Sequence, residues 1–193
     1  MSEQPRALDG IKVLDLSRVL AGPWSTQILA DFGADVFKVE HPTRGDDTRG
    51  WGPPFLKLPD GSDDPRESAY YLCANRNKRS AAIDMATPAG ADLIRRLAAQ
   101  ADVLVENFKV GSLAKYGLDY ASITAINPRI VYCSVTGFGQ DGPYANRGGY
   151  DFLAQGMGGL MSVTGEADGP PLKVGVAMAD LATGMYATVS ILA

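Results

Sequence analysis

Cysteine and histidine are scarce in this sequence. The 193 residues include only Cys73, Cys133 and His41 of these types. Two distant cysteines without a Cys/His ligand set give neither a disulfide scaffold nor a structural zinc site, and one histidine excludes metal clusters that need two. We therefore expect no resident metal and a reducing compartment.

Long apolar runs and an excess of positive charge are also missing. The N-terminus lacks the apolar core of a secretory signal, and no stretch approaches the roughly 20 apolar residues that span a bilayer. Eighteen basic residues stand against 22 acidic ones, for a net charge of -4, which argues against a general nucleic-acid binder. With 46% hydrophobic and 21% charged residues, the composition is typical of a globular protein. We expect a cytoplasmic protein that binds neither nucleic acid nor membranes.

The signature loops of several enzyme classes are absent. There is no P-loop, and Ala21-Gly22-Pro23 stands where a GxGxxG would follow the first predicted strand, so a nicotinamide dehydrogenase is disfavoured. No GxSxG motif accompanies His41, which disfavours a Ser-His-Asp hydrolase.

Segments rich in β-branched residues alternate with helix-like segments. Strands are predicted at 11–16, 35–40, 80–85, 102–106 and 129–136, helices at 24–32, 89–100, 118–127 and 176–193, and a long surface loop at 41–68. Strands separated by crossover helices predict an α/β fold with a Rossmann-like, doubly wound parallel sheet. Ligands bind such sheets beyond the carboxyl ends of the strands, here near 18–23, 40–42, 106–108 and 136–139.

Asp180 is the strongest candidate for a nucleophile or general base. It lies in an apolar run beside Met178 and Leu181, where desolvation is costly and would raise the pKa of the carboxyl group. The alternative is structural: Asp180 could be a helix N-cap that accepts hydrogen bonds from the amides of Thr183 and Gly184.

A basic run follows the long loop. Arg76, Lys78 and Arg79 come after Asn75 at a predicted turn, where they could hold phosphates or form an ordinary solvated face.

Three further features allow two interpretations each. His41 follows a predicted strand, and it either contacts a ligand or is an ordinary loop residue. Asn107 and Phe108 could place an amide and a ring against a planar ligand, or Phe108 could pack in the core. The glycines between 137 and 184 allow close approach to a ligand or another chain, or form tight turns.

A series of short motifs runs along nearly the whole chain. They include LDGIKVLD at 8–15, AGP at 21–23, LADFGADV at 29–36, NRNKRS at 75–80, ENFK at 106–109, NPR at 127–129, GFG at 137–139 and GYD at 149–151, followed by Ala179-Asp180. In this order they resemble the family III CoA-transferases, a group that includes formyl-CoA transferase, carnitine CoA-transferase and the α-methylacyl-CoA racemases.

The resemblance implies roles for particular residues. Asp180 matches the catalytic aspartate of the family, and His41 falls where the family often has an arginine near the adenine of coenzyme A. Tyr150 falls in an active-site pair with Asp151, and the racemase branch has a proton-carrying histidine at the position of Tyr150, so racemisation is disfavoured. The matches to the CoA-binding region are Val19, Asn75, Lys78, Arg79, Asn107 and Phe108.

The resemblance also implies a mechanism and an architecture. The expected activity is transfer of coenzyme A, as substrate, from an acyl-CoA to a carboxylic acid through an aspartyl anhydride and an aspartyl-CoA thioester, with no prosthetic group. The alternatives are a racemase-like enzyme and a non-catalytic acyl-CoA-binding protein. Residues 1–193 would be the large-domain portion of a longer chain, truncated before a small second domain and a C-terminal return, in a fold where two chains interlock as a homodimer. A complementary C-terminal chain is the other expected partner.

Overall fold

A five-stranded parallel sheet forms the centre of the molecule. The structure is a computed structural model and describes residues 5–193. The sheet has the order β5-β2-β1-β6-β7, and a separate antiparallel hairpin pairs β3 with β4. The strands are β1 (Lys12–Asp15), β2 (Asp35–Glu40), β3 (Phe55–Lys57), β4 (Asp63–Ser68), β5 (Lys78–Ala82), β6 (Val103–Glu106) and β7 (Val131–Ser134).

Six α-helices accompany the strands within residues 5–193. They are α1 (Ala21–Asp31), α2 (Ala69–Cys73), α3 (Pro88–Ala98), α4 (Tyr120–Ile126), α5 (Asp151–Met157) and α6 (Met178–Leu192). Among the described residues, none of these helices is long and apolar enough to cross a membrane.

The helices cover both faces of the sheet, which confirms the doubly wound fold. On one face Ile94 of α3 and Ile123 of α4 are buried with Leu104 of β6. On the other face Leu29 of α1 packs with Val105, and Ile191 of α6 joins that cluster. Burial on both faces explains the apolar run at 103–105 in the central strand β6. Because the chain leaves β1 first towards β2 and later returns on its other side as β6, β1 marks the topological switch point.

Local signals fix several boundaries. The Thr87 hydroxyl accepts a hydrogen bond from the amide of Gly90, and Pro88 occupies the first turn of α3, which are standard signals for a helix start. Gly33 has a φ of +110° just beyond α1, a conformation that favours glycine. The start of α3 and the end of α1 are therefore set by residues close to them in the sequence.

The structure differs from the sequence predictions of local structure in three places. The segment 41–68 is not one loop, because it contains a 3-10 turn at Asp47–Gly50 and the β3–β4 hairpin. Strand β5 begins at Lys78, two residues before the predicted start, so the turn ends at Asn77. Helix α5 lies in the glycine-rich stretch that was not assigned a helix, since its packing against α6 offsets the low helix propensity of glycine.

A glycine brings α6 close to α1. A Cβ atom at Gly184 would lie 2.6 Å from the carbonyl oxygen of Ala21 and 2.9 Å from the Trp24 ring. One turn later, the hydroxyls of Ser25 and Thr188 lie 3.1 Å apart in a buried hydrogen bond. This contact holds the first half of α6 over the start of α1, beside the carboxyl end of β1.

Candidate active site

A cavity of about 280 Å³ opens at the carboxyl edge of the sheet. It lies beyond the ends of β1, β2, β5 and β6, as the strand-end rule predicts. Its lining includes Ser17, Arg18, His41, Arg44, Met85, Phe108, Lys115 and Tyr116. Apolar walls with a few cations suit a ligand that carries both a ring system and negative charge.

The predicted residues His41 and Phe108 meet in this cavity. The Thr43 amide donates a hydrogen bond of 3.3 Å to His41 Nδ1. This bond holds the imidazole at the start of the loop that follows β2. The Arg18 guanidinium lies 5.5 Å from the centre of the Phe108 ring. Arg44 and Lys115 add positive charge and form no salt bridge within the described part of the chain.

Asn107 contacts the backbone of the turn that follows β1. Its amide oxygen accepts a hydrogen bond of 2.8 Å from the Arg18 amide, and its amide nitrogen donates one of 2.7 Å to the Arg18 carbonyl. Val19 is the next residue and is half-buried. Asn107 therefore orients this turn through both ends of its side chain, whereas the sequence suggested direct ligand contact.

Lys78 and Asn75 are used inside the protein. The Lys78 ammonium lies 3.0 Å from the Asp15 carboxylate and 2.9 Å from the Asn75 amide oxygen, and the side chains of both Lys78 and Asp15 are almost fully buried. Burial, offset only in part by Asp15, lowers the pKa of Lys78 to about 8. The geometry gives these side chains internal partners and does not bring them to the cavity.

Arg79 and Arg76 point elsewhere. Arg79 forms a bidentate salt bridge with Asp35, the first residue of β2, and so lies at the amino edge of the sheet. Arg76 forms a salt bridge with Asp31 at the end of α1. The basic run is thus divided among three separate acidic partners and is not a single phosphate-binding cluster in this structure.

Asp180 lies in the first turn of α6. The N-cap position is Ala177, so the interpretation of Asp180 as the N-cap is wrong. Its carboxylate is half-buried and accepts no hydrogen bond from residues 5–193. Because residues four apart share a helix face, Asp180 lies on the same side as Gly184, facing the start of α1.

The surroundings of Asp180 make its carboxyl group a weaker acid. Burial, and then the charge of Asp151, raise its pKa from 3.8 to about 6. The Asp151 carboxylate accepts hydrogen bonds of 2.7 Å from the Ala179 amide and 3.3 Å from the Asp180 amide. Asp151 therefore caps α6 and at the same time repels the negative charge of Asp180.

Two tyrosines complete these surroundings. Tyr150 is the N-cap residue of α5 and is 76% exposed, which leaves its ring free towards solvent. Burial, and then the charge of Asp180, raise the pKa of Tyr70, which places that phenol near the carboxylate. Tyr70 stacks edge-on against Trp51 at 5.3 Å between ring centres.

The sequence did not indicate several of the residues that line the cavity or lie near Asp180. Arg44 and Lys115 line the cavity, and Tyr70 lies near Asp180. Lys115 follows β6, so extending the strand-end rule along that whole loop would have found it. No local sequence signal identifies Tyr70, because Asp180 is more than 100 residues later in the chain. No group of three or more His, Cys, Asp or Glu residues suited to a metal ion occurs between residues 5 and 193.

The fold and this edge define a doubly wound α/β protein with a ligand cavity at its switch point. The model of CoA-transferase family III matches residues 8–193, and the chain belongs to that family.

Two proteins of known name show the extent of the match. A succinate–glutarate CoA-transferase of Agrobacterium fabrum is 56% identical over 99% of this chain and 47% of its own length. Human succinyl-CoA:glutarate CoA-transferase is 52% identical over 97% of this chain and 41% of its own length. The chain therefore spans less than half the length of either relative.

A solved structure agrees with the fold. A CAIB/BAIF family protein from Brucella suis superposes with a TM-score of 0.92 at 57% identity, over 98% of this chain and 49% of that one. The similarity extends through α6, so it includes the surroundings of Asp180.

Proposed function

We propose that the complete protein transfers coenzyme A from an acyl-CoA to a carboxylic acid, with Asp180 as the nucleophile. The observation that carries the proposal is the half-buried Asp180 carboxylate, which has a raised pKa and no hydrogen-bond donor within residues 5–193. A carboxylate without donors keeps its lone pairs available for attack. The family match and the named relatives support the same chemistry.

The reaction exchanges a carboxylate and a thiolate in four balanced steps. An Asp180 oxygen attacks the thioester carbonyl carbon, which forms a mixed anhydride and releases the CoA thiolate. The thiolate attacks the Asp180 carbonyl carbon, which gives an aspartyl-CoA thioester and frees the first acid. The acceptor carboxylate attacks this thioester and regenerates a mixed anhydride and thiolate. Attack of the thiolate on the acceptor carbonyl then forms the new acyl-CoA and restores Asp180.

The cavity supports binding of the nucleotide end of coenzyme A. Phe108 and Tyr116 offer rings for the adenine, and Arg44 and Lys115, which form no salt bridge within residues 5–193, offer positive charge for phosphates. His41 also lines the cavity and offers a polar contact. The turn at Arg18 and Val19, held by Asn107, would lie along the ligand.

The acids are proposed from the relatives. Proteins of this family at 50% identity or more carry names that specify succinate and glutarate, so we propose short dicarboxylic acids as donor and acceptor. Position 150 is a tyrosine, so it holds no histidine that could carry a proton. The His41 ring accepts a hydrogen bond from the Thr43 amide of its own loop. This arrangement gives no support to racemisation.

An apolar face supports a partner for this chain. Exposed side chains on α5 and α6 include Phe152, Met157, Met185, Tyr186 and Val189. Apolar area of this kind is normally covered. We propose that it is covered by the remaining length of the protein and by a second subunit in an interlocked homodimer. Residues 1–193 alone should then aggregate and lack transferase activity, which size-exclusion chromatography and a turnover assay would test.

Trapping of the intermediate tests the proposal directly. The complete protein is incubated with succinyl-CoA and then treated with hydroxylamine or borohydride, and the modified residue is located by mass spectrometry. We expect modification at Asp180 and at least a thousandfold loss of transfer to glutarate in Asp180→Asn. The matched control is Asp168→Asn, at an exposed position. Full transfer by Asp180→Asn would contradict the proposal.

The cavity assignment has its own test. Lys115→Ala should raise KM for succinyl-CoA about tenfold and leave KM for glutarate unchanged, because only the CoA substrate carries phosphates. Lys109→Ala, an exposed lysine that does not line the cavity, is the control. Equal effects on both substrates would show that Lys115 does not contact the nucleotide.

A further inference from the structure

Val19 has a backbone conformation that valine rarely adopts. Its φ is +69°, in the left-handed region where a β-branched side chain is strained. Such strain persists only where surrounding contacts fix the backbone, and it concentrates at functional sites. Val19 lies in the turn after β1, at the switch point of the sheet, directly after Ser17 and Arg18, which line the cavity.

Side chains from three directions hold this turn. Asn107 brackets Arg18 from the end of β6. The Lys38 ammonium donates a hydrogen bond of 2.8 Å to the Ser17 carbonyl. The Val19 amide donates one of 3.2 Å to Oδ1 of Asp46. The contact from Asp46 reaches the strained residue itself.

Asp46 is held by a buried ion pair. Its Oδ2 atom lies 3.0 Å from the Lys38 ammonium, and each side chain is only 1% exposed. The Asp46 amide donates a hydrogen bond of 2.9 Å to Glu40, and Arg49 holds Glu40 from the other side. A buried ion pair adds little stability compared with apolar side chains of equal size. Its effect here is to hold Oδ2 while the Thr48 amide and hydroxyl donate hydrogen bonds of 3.0 and 2.8 Å to Oδ1, so the direction of the oxygen that faces Val19 is fixed.

We propose that Asp46, oriented by Lys38, is a positioning residue for acyl-CoA binding: it holds the strained Val19 turn in the shape that accepts the ligand. This assignment rests on the proposed function, because the ligand of the turn is taken to be coenzyme A. A purely structural role would affect folding stability and leave substrate affinity unchanged.

Two double variants separate these roles in the complete protein. Asp46→Asn with Lys38→Met removes both charges but keeps an amide oxygen for the Val19 amide. Asp46→Ser with Lys38→Met also removes both charges and can still cap the 3-10 turn through Thr48, but its hydroxyl is too short to reach Val19. Neither variant leaves Asp46 or Lys38 as an unpaired buried charge, and both lose the Lys38 hydrogen bond to Ser17 and the same cation of the cavity lining. They therefore differ from each other chiefly in the hydrogen bond to Val19.

The expected result is a change in affinity with little change in turnover. The serine variant should show a KM for succinyl-CoA and a Kd for coenzyme A at least tenfold above those of the asparagine variant, which shares the loss of the Lys38 contact with Ser17, and the kcat values of the two variants should lie within threefold of each other. Adding Val19→Gly to the serine variant should restore most of the affinity, because glycine adopts a φ of this sign without strain. Asp35→Asn, which removes a salt bridge at the opposite edge of the sheet, is the control and should change neither constant.

Each outcome is decisive. Equal KM and Kd in the two double variants, or no recovery with Val19→Gly, would overturn the positioning role. A wild-type protein that neither binds coenzyme A in calorimetry nor transfers it would instead overturn the proposed function. If the serine variant does not fold, Asp46→Gln with Lys38→Met replaces it, because the added methylene moves the amide oxygen away from Val19 and should raise KM by the same factor.

Discussion

Replacing Asp180 by asparagine should stabilise the complete protein above pH 6 while it abolishes transfer. The carboxylate is held in a half-buried place beside Asp151, and burial followed by that negative charge raises its pKa from 3.8 to about 6. Ionisation of Asp180 therefore destabilises the folded protein, and the neutral amide of Asp180→Asn removes this destabilisation.

The magnitude follows from the shift. At about 1.4 kcal/mol per pH unit, a rise from 3.8 to about 6 corresponds to roughly 3 kcal/mol, and partial exposure to solvent reduces this to about 1–2 kcal/mol. Below pH 3.8 the carboxyl group is protonated in both the folded and unfolded states, so it causes no penalty. The penalty grows as the pH rises and is complete above pH 6.

Urea denaturation at pH 4, 6 and 8 measures this effect. The free energy of unfolding of Asp180→Asn, relative to wild type, should increase by about 1–2 kcal/mol between pH 4 and pH 8. Asp168→Asn, at an exposed position, should change it by less than about 0.5 kcal/mol. A difference that does not depend on pH would refute the assignment of a strained, ionised Asp180. A second check is Asp151→Asn, which should lower the pKa of Asp180 by removing the neighbouring charge.

Three further predictions concern activity and packing. The rate of transfer at low substrate should fall with unit slope below about pH 6, because only the ionised Asp180 is a nucleophile, and a profile that is flat to pH 5 would contradict this. Lys78→Met should destabilise the fold by about 2–4 kcal/mol, because it removes the salt-bridge partner of the buried Asp15 and leaves only the hydrogen bonds from Ser17 and Thr26 and the more distant charge of Lys38, whereas adding Asp15→Asn should recover much of the loss in thermal unfolding. Gly184→Ala should cost about 1–3 kcal/mol because its Cβ would meet the backbone of α1, whereas Gly175→Ala, with open space around it, should cost less than about 1 kcal/mol.

The sequence by itself determined the fold class and the nucleophile candidate. The alternation of apolar strands with capped helices requires a parallel sheet with helices on both faces, because parallel strands need crossover connections. Asp180 was identifiable because a carboxylate in an apolar helix is costly unless it has a use. Both inferences depend on residues that are close together along the chain.

The tertiary structure decided which charged residues are available to a ligand. Arg76, Lys78 and Arg79 are adjacent in sequence, but the fold gives each a different acidic partner. Those partners come from α1, β1 and β2, more than 40 residues earlier, so no local pattern reveals the pairs. The strained turn at Val19 was equally hidden, since its contacts come from Asp46 and from Asn107 at the end of another strand. Burial and long-range ion pairs arise only when the chain folds. They make Lys78 a buried residue paired with Asp15, whereas Arg44 and Lys115 face the cavity.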